Sequence, residues 1–298
     1  MKNLISELDS IDDVELKIDS ELSRFTTIRL KNKGDILIVK SIEALKETIK
    51  ILKKYKKAYH LVGWGANQIL HNTADVYFIK LQFEFDRNYL ASARDEYYLP
   101  ANISLNILTS HAKRFGLKGW EVFTGIPASL GGAVYMNAGT NLGEIKDIVK
   151  SVTILRSNTE IEEVIIEKDS FKYRGNNFVK DGDIILALTL YHHGLDESLS
   201  IKIEDYLDLR KRTQPLQSYN CGCVFKNYDS NHRAGQYIDV LGMKGLRLGD
   251  LMVSNKHANF IENSGDAKSV DFVELTDEIK YQLELFSGIQ FELEAKVY

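Results

Sequence analysis

The chain has 298 residues, of which 44% are hydrophobic and 27% charged, and its formal net charge is −4. This balance is typical of a globular protein and argues against a general nucleic-acid or anionic-membrane binder, which needs a basic surface. No apolar run is long enough to span a bilayer, and the first nine residues turn acidic before any apolar stretch develops. We therefore expect a cytoplasmic protein of two or three lobes, without nucleic-acid binding or membrane insertion.

The chain has two cysteines, Cys221 and Cys223, which are two residues apart. Such close neighbours make a poor disulfide, and two thiols without a nearby His or Cys cluster make a poor metal site. We expect both thiols to be reduced and no metal to be bound.

The first predicted lobe, residues 1–82, has a mixed α/β pattern. A short apolar strand at 35–39 precedes a helix in which Leu45, Ile49 and Leu52 recur at helical spacing. Further strands are predicted at 59–62 and 76–81.

The second and third predicted lobes cover residues 83–195 and 196–298. A helix around 105–112 that closes near Gly116 is followed by a loop region rich in small residues, from 125 to 143. Strands are predicted at 151–155 and 183–190, and helices at 199–212 and near the end of the chain. Five apolar side chains mark one face of that last helix: Phe272, Leu275, Ile279, Leu283 and Phe286.

Two glycine-rich segments are candidates for ligand contact. The first, Gly63 to Asn67, follows a predicted strand, and its glycines permit close approach of main-chain N–H groups to a phosphate. A plain tight turn is an equally good interpretation, and no third glycine completes a dinucleotide fingerprint. The second, Thr124 to Gly139, is dense in small residues, which suits either contact with a flat or phosphorylated ligand or close packing of lobes.

Five motifs in order resemble the UDP-N-acetylenolpyruvoylglucosamine reductase (MurB) family. The motifs are the second glycine segment, Phe171-x-Tyr173-Arg174, Gly222-Cys223-Val224-Phe225-Lys226-Asn227, Gly242-x-Lys244-Gly245-x-Arg247-x-Gly249 and Ser254-x-Lys256-His257-Ala258-Asn259, and the resemblance as a whole covers roughly residues 24 to 298. The resemblance implies an α+β FAD-binding fold of the p-cresol methylhydroxylase type, which consists of two α+β lobes. A third, C-terminal α+β lobe would bind the substrate.

The resemblance also implies the reaction. NADPH would reduce non-covalently bound FAD, and the enolpyruvyl group of a UDP-sugar would be reduced to give UDP-N-acetylmuramate for peptidoglycan synthesis. Reduction of the double bond places negative charge beside a carboxylate, so the site needs a cation, hydrogen-bond donors and a proton source.

Three catalytic residues follow from the motif positions. Arg174 is the expected electrophilic partner, because a guanidinium holds a carboxylate through two parallel hydrogen bonds. Cys223 is the expected proton donor, since a thiol is a far stronger acid than a serine hydroxyl. Glu294 matches the family's closing glutamate, with Glu292 as a rival, because Leu293 stands where a proline is common.

The resemblance assigns the other contacts by position. Tyr173, Arg174, Lys226 and Asn227 would bind the UDP-sugar. FAD would be bound by Gly63, Gly65, Ala66, Asn67 and Gln68, by Thr124, Gly125, Ile126, Pro127, Gly131, Gly132, Ala133, Asn137, Ala138 and Gly139, and by Arg247. Protein partners are not indicated.

The chain departs from the family pattern mainly at glycine positions. Trp64 and Ala66 stand where glycine and serine are usual, Ala101-Asn102 lies near a usual glycine pair, and Ala128 replaces a glycine. These changes leave two alternatives open: a diverged flavoprotein of the same fold with another substrate, and a non-catalytic UDP-sugar-binding protein that has lost FAD. The retention of Arg174, Cys223 and Glu294 together argues against the second.

Overall fold

The computed structural model describes residues 2–298 and is a mixture of helices and short strands. The helices are α1 (Lys2–Asp9), α2 (Ile42–Lys54), α3 (Leu105–Phe115), α4 (Leu130–Tyr135), α5 (Leu199–Thr213), α6 (Ala234–Val240) and α7 (Ser269–Ser287).

Most strands are short. They are β1 (Val14–Glu21), β2 (Lys33–Val39), β3 (Ala58–Leu61), β4 (Gln68–Ile69), β5 (Val76–Leu81), β6 (Glu96–Pro100), β7 (Gly139–Thr140), β8 (Gly143–Glu144), β9 (Val149–Leu155), β10 (Ile161–Ile165), β11 (Phe171–Lys172), β12 (Gly175–Asn176), β13 (Ile184–Tyr191), β14 (Arg247–Leu248), β15 (Leu251–Val253), β16 (Ile261–Asn263) and β17 (Lys296–Val297). Two four-stranded sheets have the orders β1-β2-β5-β3 and β10-β9-β13-β6.

The helix limits follow from capping chemistry. Ser41 accepts a hydrogen bond from the amide of Ala44 at the start of α2, and Ser104 accepts one from Asn106 at the start of α3. Gly116 ends α3 with φ +70°, a left-handed conformation that glycine adopts without steric cost. The predicted helices and strands at these positions are confirmed to within a few residues.

The chain divides into two compact units. Unit 1 comprises 1–17, 36–63 and 77–208, and unit 2 comprises 18–35, 64–76 and 209–298. Unit 1 contains two apolar clusters, one around Tyr97, Trp120 and Phe123 and one around Leu45 and Leu52. Unit 2 contains one cluster, in which α7 contributes the predicted apolar face apart from Phe286, which is exposed. The predicted division into three lobes stays a prediction.

Several elements carried no clear sequence signal. Helix α1 buries Leu4 and Leu8, which are four residues apart and lie on one face, although the rest of this short segment is polar apart from Ile5. Strand β10 has four charged or exposed positions out of five and forms only because β9 pairs with it in antiparallel register. Within residues 2–298, no helix is long and apolar enough to cross a membrane.

Candidate active site

The C-terminal segment pairs with the motif that contains Cys223. Phe225 and Leu293 form an antiparallel bridge, the amide of Lys226 donates to the carbonyl of Glu292 at 2.9 Å, and the amide of Glu294 donates to the carbonyl of Val224 at 2.8 Å. This register sets Glu292 opposite Lys226 and sets Glu294 opposite Val224, the neighbour of Cys223. Unit 2 thus brings two of the predicted catalytic residues together.

The two cysteines occupy different environments. Cys221 is buried in the apolar cluster of unit 2, with 2% of its surface exposed, whereas Cys223 is only partly buried. Burial raises the pKa of the Cys221 thiol to about 12, and the nearby Cys223 and Glu294 add to this shift because negative charge close by disfavours the Cys221 thiolate. Cys221 is therefore a packing residue, and Cys223 is the thiol that has access to solvent.

The two C-terminal glutamates also differ. The Glu292 carboxylate forms an ion pair of 2.7 Å with the Lys226 ammonium, its side chain is 74% exposed, and the hydrogen bond from Lys226 lowers its pKa. Glu294 is partly buried and belongs to the segment beside Cys223. The arrangement favours Glu294 over its rival as the catalytic carboxylate.

Asn259 holds the Cys223 motif in place. Its side chain accepts from the Phe225 amide at 2.9 Å and donates to the Phe225 carbonyl at 2.8 Å, while its own carbonyl accepts from Val224 at 2.9 Å. Asn259 is 4% exposed, so these bonds are sheltered from water. Asn259 belongs to the last of the motifs that carry the family resemblance, and the sequence alone does not show what it contacts.

The first glycine turn is required by packing within unit 2. Gly65 has φ +63°, and a Cβ atom there would lie 2.3 Å from the Phe25 carbonyl oxygen. The adjacent Asn67 side chain donates to the Glu294 carbonyl at 2.9 Å, and the Asn67 carbonyl accepts from Lys296 at 2.9 Å. Gln68 pairs with Lys296 in the parallel β4–β17 ladder. Part of the predicted FAD turn is therefore bonded to the predicted catalytic segment.

In unit 1, Gly63 lies against the start of α4. A Cβ atom on Gly63 would lie 2.8 Å from the Ser129 hydroxyl oxygen, which also accepts a hydrogen bond from the Gly132 amide. The Gly63 carbonyl accepts from the Lys80 ammonium at 2.8 Å, and burial lowers the pKa of this lysine. Ser129 and Lys80 were not among the predicted site residues.

The second glycine segment combines close packing with open main chain. A Cβ on Gly131 would lie 2.7 Å from the Cβ of Ala101, so this glycine is needed for packing. Gly132 is exposed, and Gly125 has φ +72°. The two interpretations of this segment are thus compatible.

Arg174 lies in a tight turn beside the end of this segment. Strands β11 and β12 pair so that Tyr173 and Arg174 form the two-residue connection, and Arg174 has φ +53°, which is uncommon for a side chain of this size. Its guanidinium donates to the carbonyl oxygens of Gly139 at 3.2 Å and Asn137 at 3.5 Å. Unit 1 therefore brings Arg174 together with the predicted flavin segment.

Other predicted residues lie at the surface or are engaged with protein groups. Tyr173 is 51% exposed and lies 5.1 Å, ring centre to Cζ, from the guanidinium of Arg174. The Asn227 side chain accepts from the Ala234 amide at the start of α6. Arg247 is exposed on β14.

The residues of unit 1 fit a flavin nucleotide. Gly63 and Gly132 both lie next to the Ser129 hydroxyl, and neither has a side chain. A phosphorylated ligand can therefore come close to their main-chain atoms. The Asn102 Oδ1 atom, next to Ala101, is buried and has no hydrogen-bond donor within residues 2–298. Such a buried acceptor is satisfied when a ligand hydroxyl or N–H reaches it.

Comparisons with known proteins agree with this geometry. Residues 36–164 match the family model of the FAD binding domain, and residues 214–298 match that of the C-terminal domain of UDP-N-acetylenolpyruvoylglucosamine reductase. The chain is thus a flavoprotein, and the α+β FAD-binding fold expected from the sequence is confirmed.

Relatives that match almost the whole chain identify its family. It is 35% identical over 287 residues to the UDP-N-acetylenolpyruvoylglucosamine reductase of Syntrophus aciditrophicus, an alignment that covers 94% of this chain and 90% of the relative. The reductase of Halalkalibacterium halodurans is 29% identical over 299 residues and covers 100% of this chain and 99% of its own. The crystal structure of the Thermus caldophilus enzyme superposes with a TM-score of 0.79 at 30% identity, over 96% of this chain and 98% of that one. The chain belongs to the UDP-N-acetylenolpyruvoylglucosamine reductase family.

Proposed function

We propose that this chain is an NADPH-dependent, FAD-containing reductase that converts UDP-N-acetylglucosamine enolpyruvate to UDP-N-acetylmuramate. FAD, when bound, supplies the hydride that adds to the methylene carbon of the enolpyruvyl group. The protein has to hold the substrate, stabilise the negative charge that develops on the substrate and deliver one proton to the neighbouring carbon.

The observation that carries this proposal is the pairing of residues 224–226 with 292–294. It sets the main chain of Glu294, a partly buried glutamate, opposite Val224, the neighbour of the cysteine that has access to solvent, on a backbone fixed by Asn259. In this proposal the Cys223 thiol donates its proton to the substrate carbon, and Glu294 stabilises the intermediate or assists that transfer.

Arg174 is proposed to hold the substrate carboxylate. Its main-chain conformation is strained, and its guanidinium is oriented by the carbonyl oxygens of Asn137 and Gly139, which leaves a fixed direction for the remaining N–H groups. An oriented guanidinium costs little reorganisation when the carboxylate gains charge.

Lys226 and Asn227 are proposed to bind the UDP-sugar. The ion pair with Glu292 holds the Lys226 ammonium in place, so the lysine would bind the substrate while it stays paired with this carboxylate. Glu292 thereby has a role in binding that differs from the proposed role of Glu294. For Tyr173, an exposed ring beside Arg174 is suited to contact with the substrate.

FAD is proposed to contact the first glycine turn, the second glycine segment and Arg247, as the resemblance implies. The glycine substitutions leave main-chain donors as the main contacts, because Ala66 has no hydroxyl to offer.

The proposal is tested by product analysis. Purified protein is incubated with NADPH and the enolpyruvyl UDP-sugar, and the nucleotide-sugar is examined by mass spectrometry. The expected product carries two more hydrogen atoms than the substrate, with NADPH oxidised in equal amount. Stoichiometric binding of the UDP-sugar without NADPH oxidation would contradict the proposal and favour the non-catalytic alternative.

A further inference from the structure

We propose that Asn67 is a positioning residue for Glu294. The first glycine turn would then hold the segment that contains Glu294 in place, in addition to making its proposed contact with FAD. This inference rests on the proposed function, in which Glu294 takes part in reduction of the substrate. It adds a role for Asn67 that acts through another residue.

The contact is direct and two-sided. The Asn67 Nδ2 group donates to the Glu294 carbonyl oxygen at 2.9 Å, and the Asn67 carbonyl accepts from the Lys296 amide at 2.9 Å. Both peptide groups that flank Ala295 are thereby bonded to a single residue.

Glu294 lies where the C-terminal segment changes its partner. Its amide donates to Val224 in the antiparallel pairing with the Cys223 motif, whereas the residues after it pair in parallel with β4. At this junction between two backbone pairings, the Asn67 side-chain amide provides a hydrogen bond to the Glu294 carbonyl oxygen.

The consequence for chemistry is specific. The direction of the Glu294 carboxylate relative to Cys223 depends on the backbone conformation of Glu294, because its rotamers are set by φ and ψ. Loss of the Asn67 donor loosens the peptide group after Glu294 while the amide bond to Val224 remains. Proton delivery to the substrate then slows, whereas flavin reduction by NADPH needs no proton from Glu294.

The test is a double-mutant cycle with Asn67→Ala and Glu294→Gln. The two half-reactions are measured separately at saturating FAD under anaerobic conditions, and the FAD dissociation constant of each variant is measured by titration. We expect Asn67→Ala to slow flavin re-oxidation by the UDP-sugar by about tenfold, the worth of one lost hydrogen bond. The rate of flavin reduction by NADPH, measured on the same FAD-loaded variant, separates this effect from any change in the proposed FAD contact of Asn67.

In the Glu294→Gln background, Asn67→Ala should have little further effect, because the residue it acts through has already lost its carboxylate. Equal slowing in both backgrounds would overturn the inference, as would a re-oxidation rate that stays at the wild-type value. A wild-type re-oxidation rate for Glu294→Gln alone would instead remove Glu294 from the proposed mechanism, and the inference with it.

Hydrogen exchange of the FAD-free protein gives a readout independent of activity. The amides of residues 294–298 should exchange faster in Asn67→Ala and in the isosteric Asn67→Asp, which cannot donate at neutral pH. The matched control is Asn32→Ala, since the Asn32 amide also donates to main-chain carbonyls of unit 2, at Leu70 and His71. The control should leave re-oxidation unchanged; exchange at 294–298 that is unaltered in both Asn67 variants would contradict the inference.

Discussion

The amide of Glu294 donates a hydrogen bond of 2.8 Å to the carbonyl oxygen of Val224, the residue directly after Cys223. Glu294 and Val224, which lie 70 positions apart in the sequence, are thereby paired through their main chains. This pairing sets the main chain next to Cys223 against that of Glu294, the two residues proposed to act on the substrate.

Cys223→Ala should abolish turnover while flavin reduction by NADPH proceeds normally. Loss of a general acid typically lowers the rate by about 10²–10⁴-fold. Cys223→Ser should retain part of the activity, because a hydroxyl can still donate a proton although it is the weaker acid. Stopped-flow measurement of both half-reactions checks this, and loss of both half-reactions in Cys223→Ala would contradict the assignment.

Arg174→Lys should slow the re-oxidation of the flavin by the UDP-sugar by roughly 10- to 100-fold, because one charged hydrogen bond is worth about 1.5–3 kcal/mol. A lysine keeps the charge but cannot make the planar two-point contact. Thermal unfolding should change little, since the Arg174 hydrogen bonds to the carbonyl oxygens of Gly139 and Asn137 are long, at 3.2 and 3.5 Å. Unchanged kinetics in Arg174→Lys would show that only the charge at this position matters.

Gly65→Ala should destabilise the protein far more than Gly242→Ala. Both glycines have similar positive φ angles, +63° and +67°, but a Cβ on Gly65 would meet the Phe25 carbonyl at 2.3 Å, whereas one on Gly242 meets nothing within 4 Å. The second variant measures the conformational cost alone, about 1–2 kcal/mol. Chemical denaturation of both variants compares them, and equal stabilities would show that the backbone around Phe25 moves to accept the methyl group.

Cys221 should make stability depend on pH in the alkaline range. Burial raises the pKa of its thiol from 9.0 to about 12, so the folded state keeps the proton more tightly than the unfolded chain. The resulting stabilisation is complete below pH 9 and is lost as the pH rises towards 12, by about 2 kcal/mol at pH 10.5 at 1.4 kcal/mol per unit.

The Cys221→Ala variant provides the comparison, because it lacks this titration. The difference in unfolding free energy between wild type and Cys221→Ala should narrow between pH 8 and pH 10.5. A constant difference would mean that the thiol ionises as easily in the folded protein as in the unfolded chain.

Much of the fold could be predicted from periodicity. Leu45, Ile49 and Leu52 lie on one buried face of α2, as their spacing indicated, and Gly116 ends α3 in the left-handed conformation. Signals of this kind can be read from about a dozen consecutive residues, without knowledge of the tertiary structure. Helix α1 and strand β10 were not predicted, because the first depends on two leucines and the second on pairing with β9.

The candidate site shows the same division. Motif order identified Cys223 and Glu294, but periodicity and composition say nothing about a pairing between residues 224 and 294, which depends on the tertiary structure. Motif position already favoured Glu294 over Glu292, and the register adds a structural reason because it sets Glu292 opposite Lys226. Asn67 was assigned to FAD from its place in a glycine turn, and its bond to Glu294 had no signal in the sequence.

The most direct test of the proposed function is a two-step anaerobic measurement on the purified protein. NADPH is added first to bleach the flavin absorbance, and the enolpyruvyl UDP-sugar is added next. We predict bleaching followed by prompt recovery, which would establish the cofactor, the donor and the substrate together. A flavin that bleaches but does not recover would contradict the proposed substrate, and a protein that cannot be loaded with FAD would contradict the reductase assignment altogether.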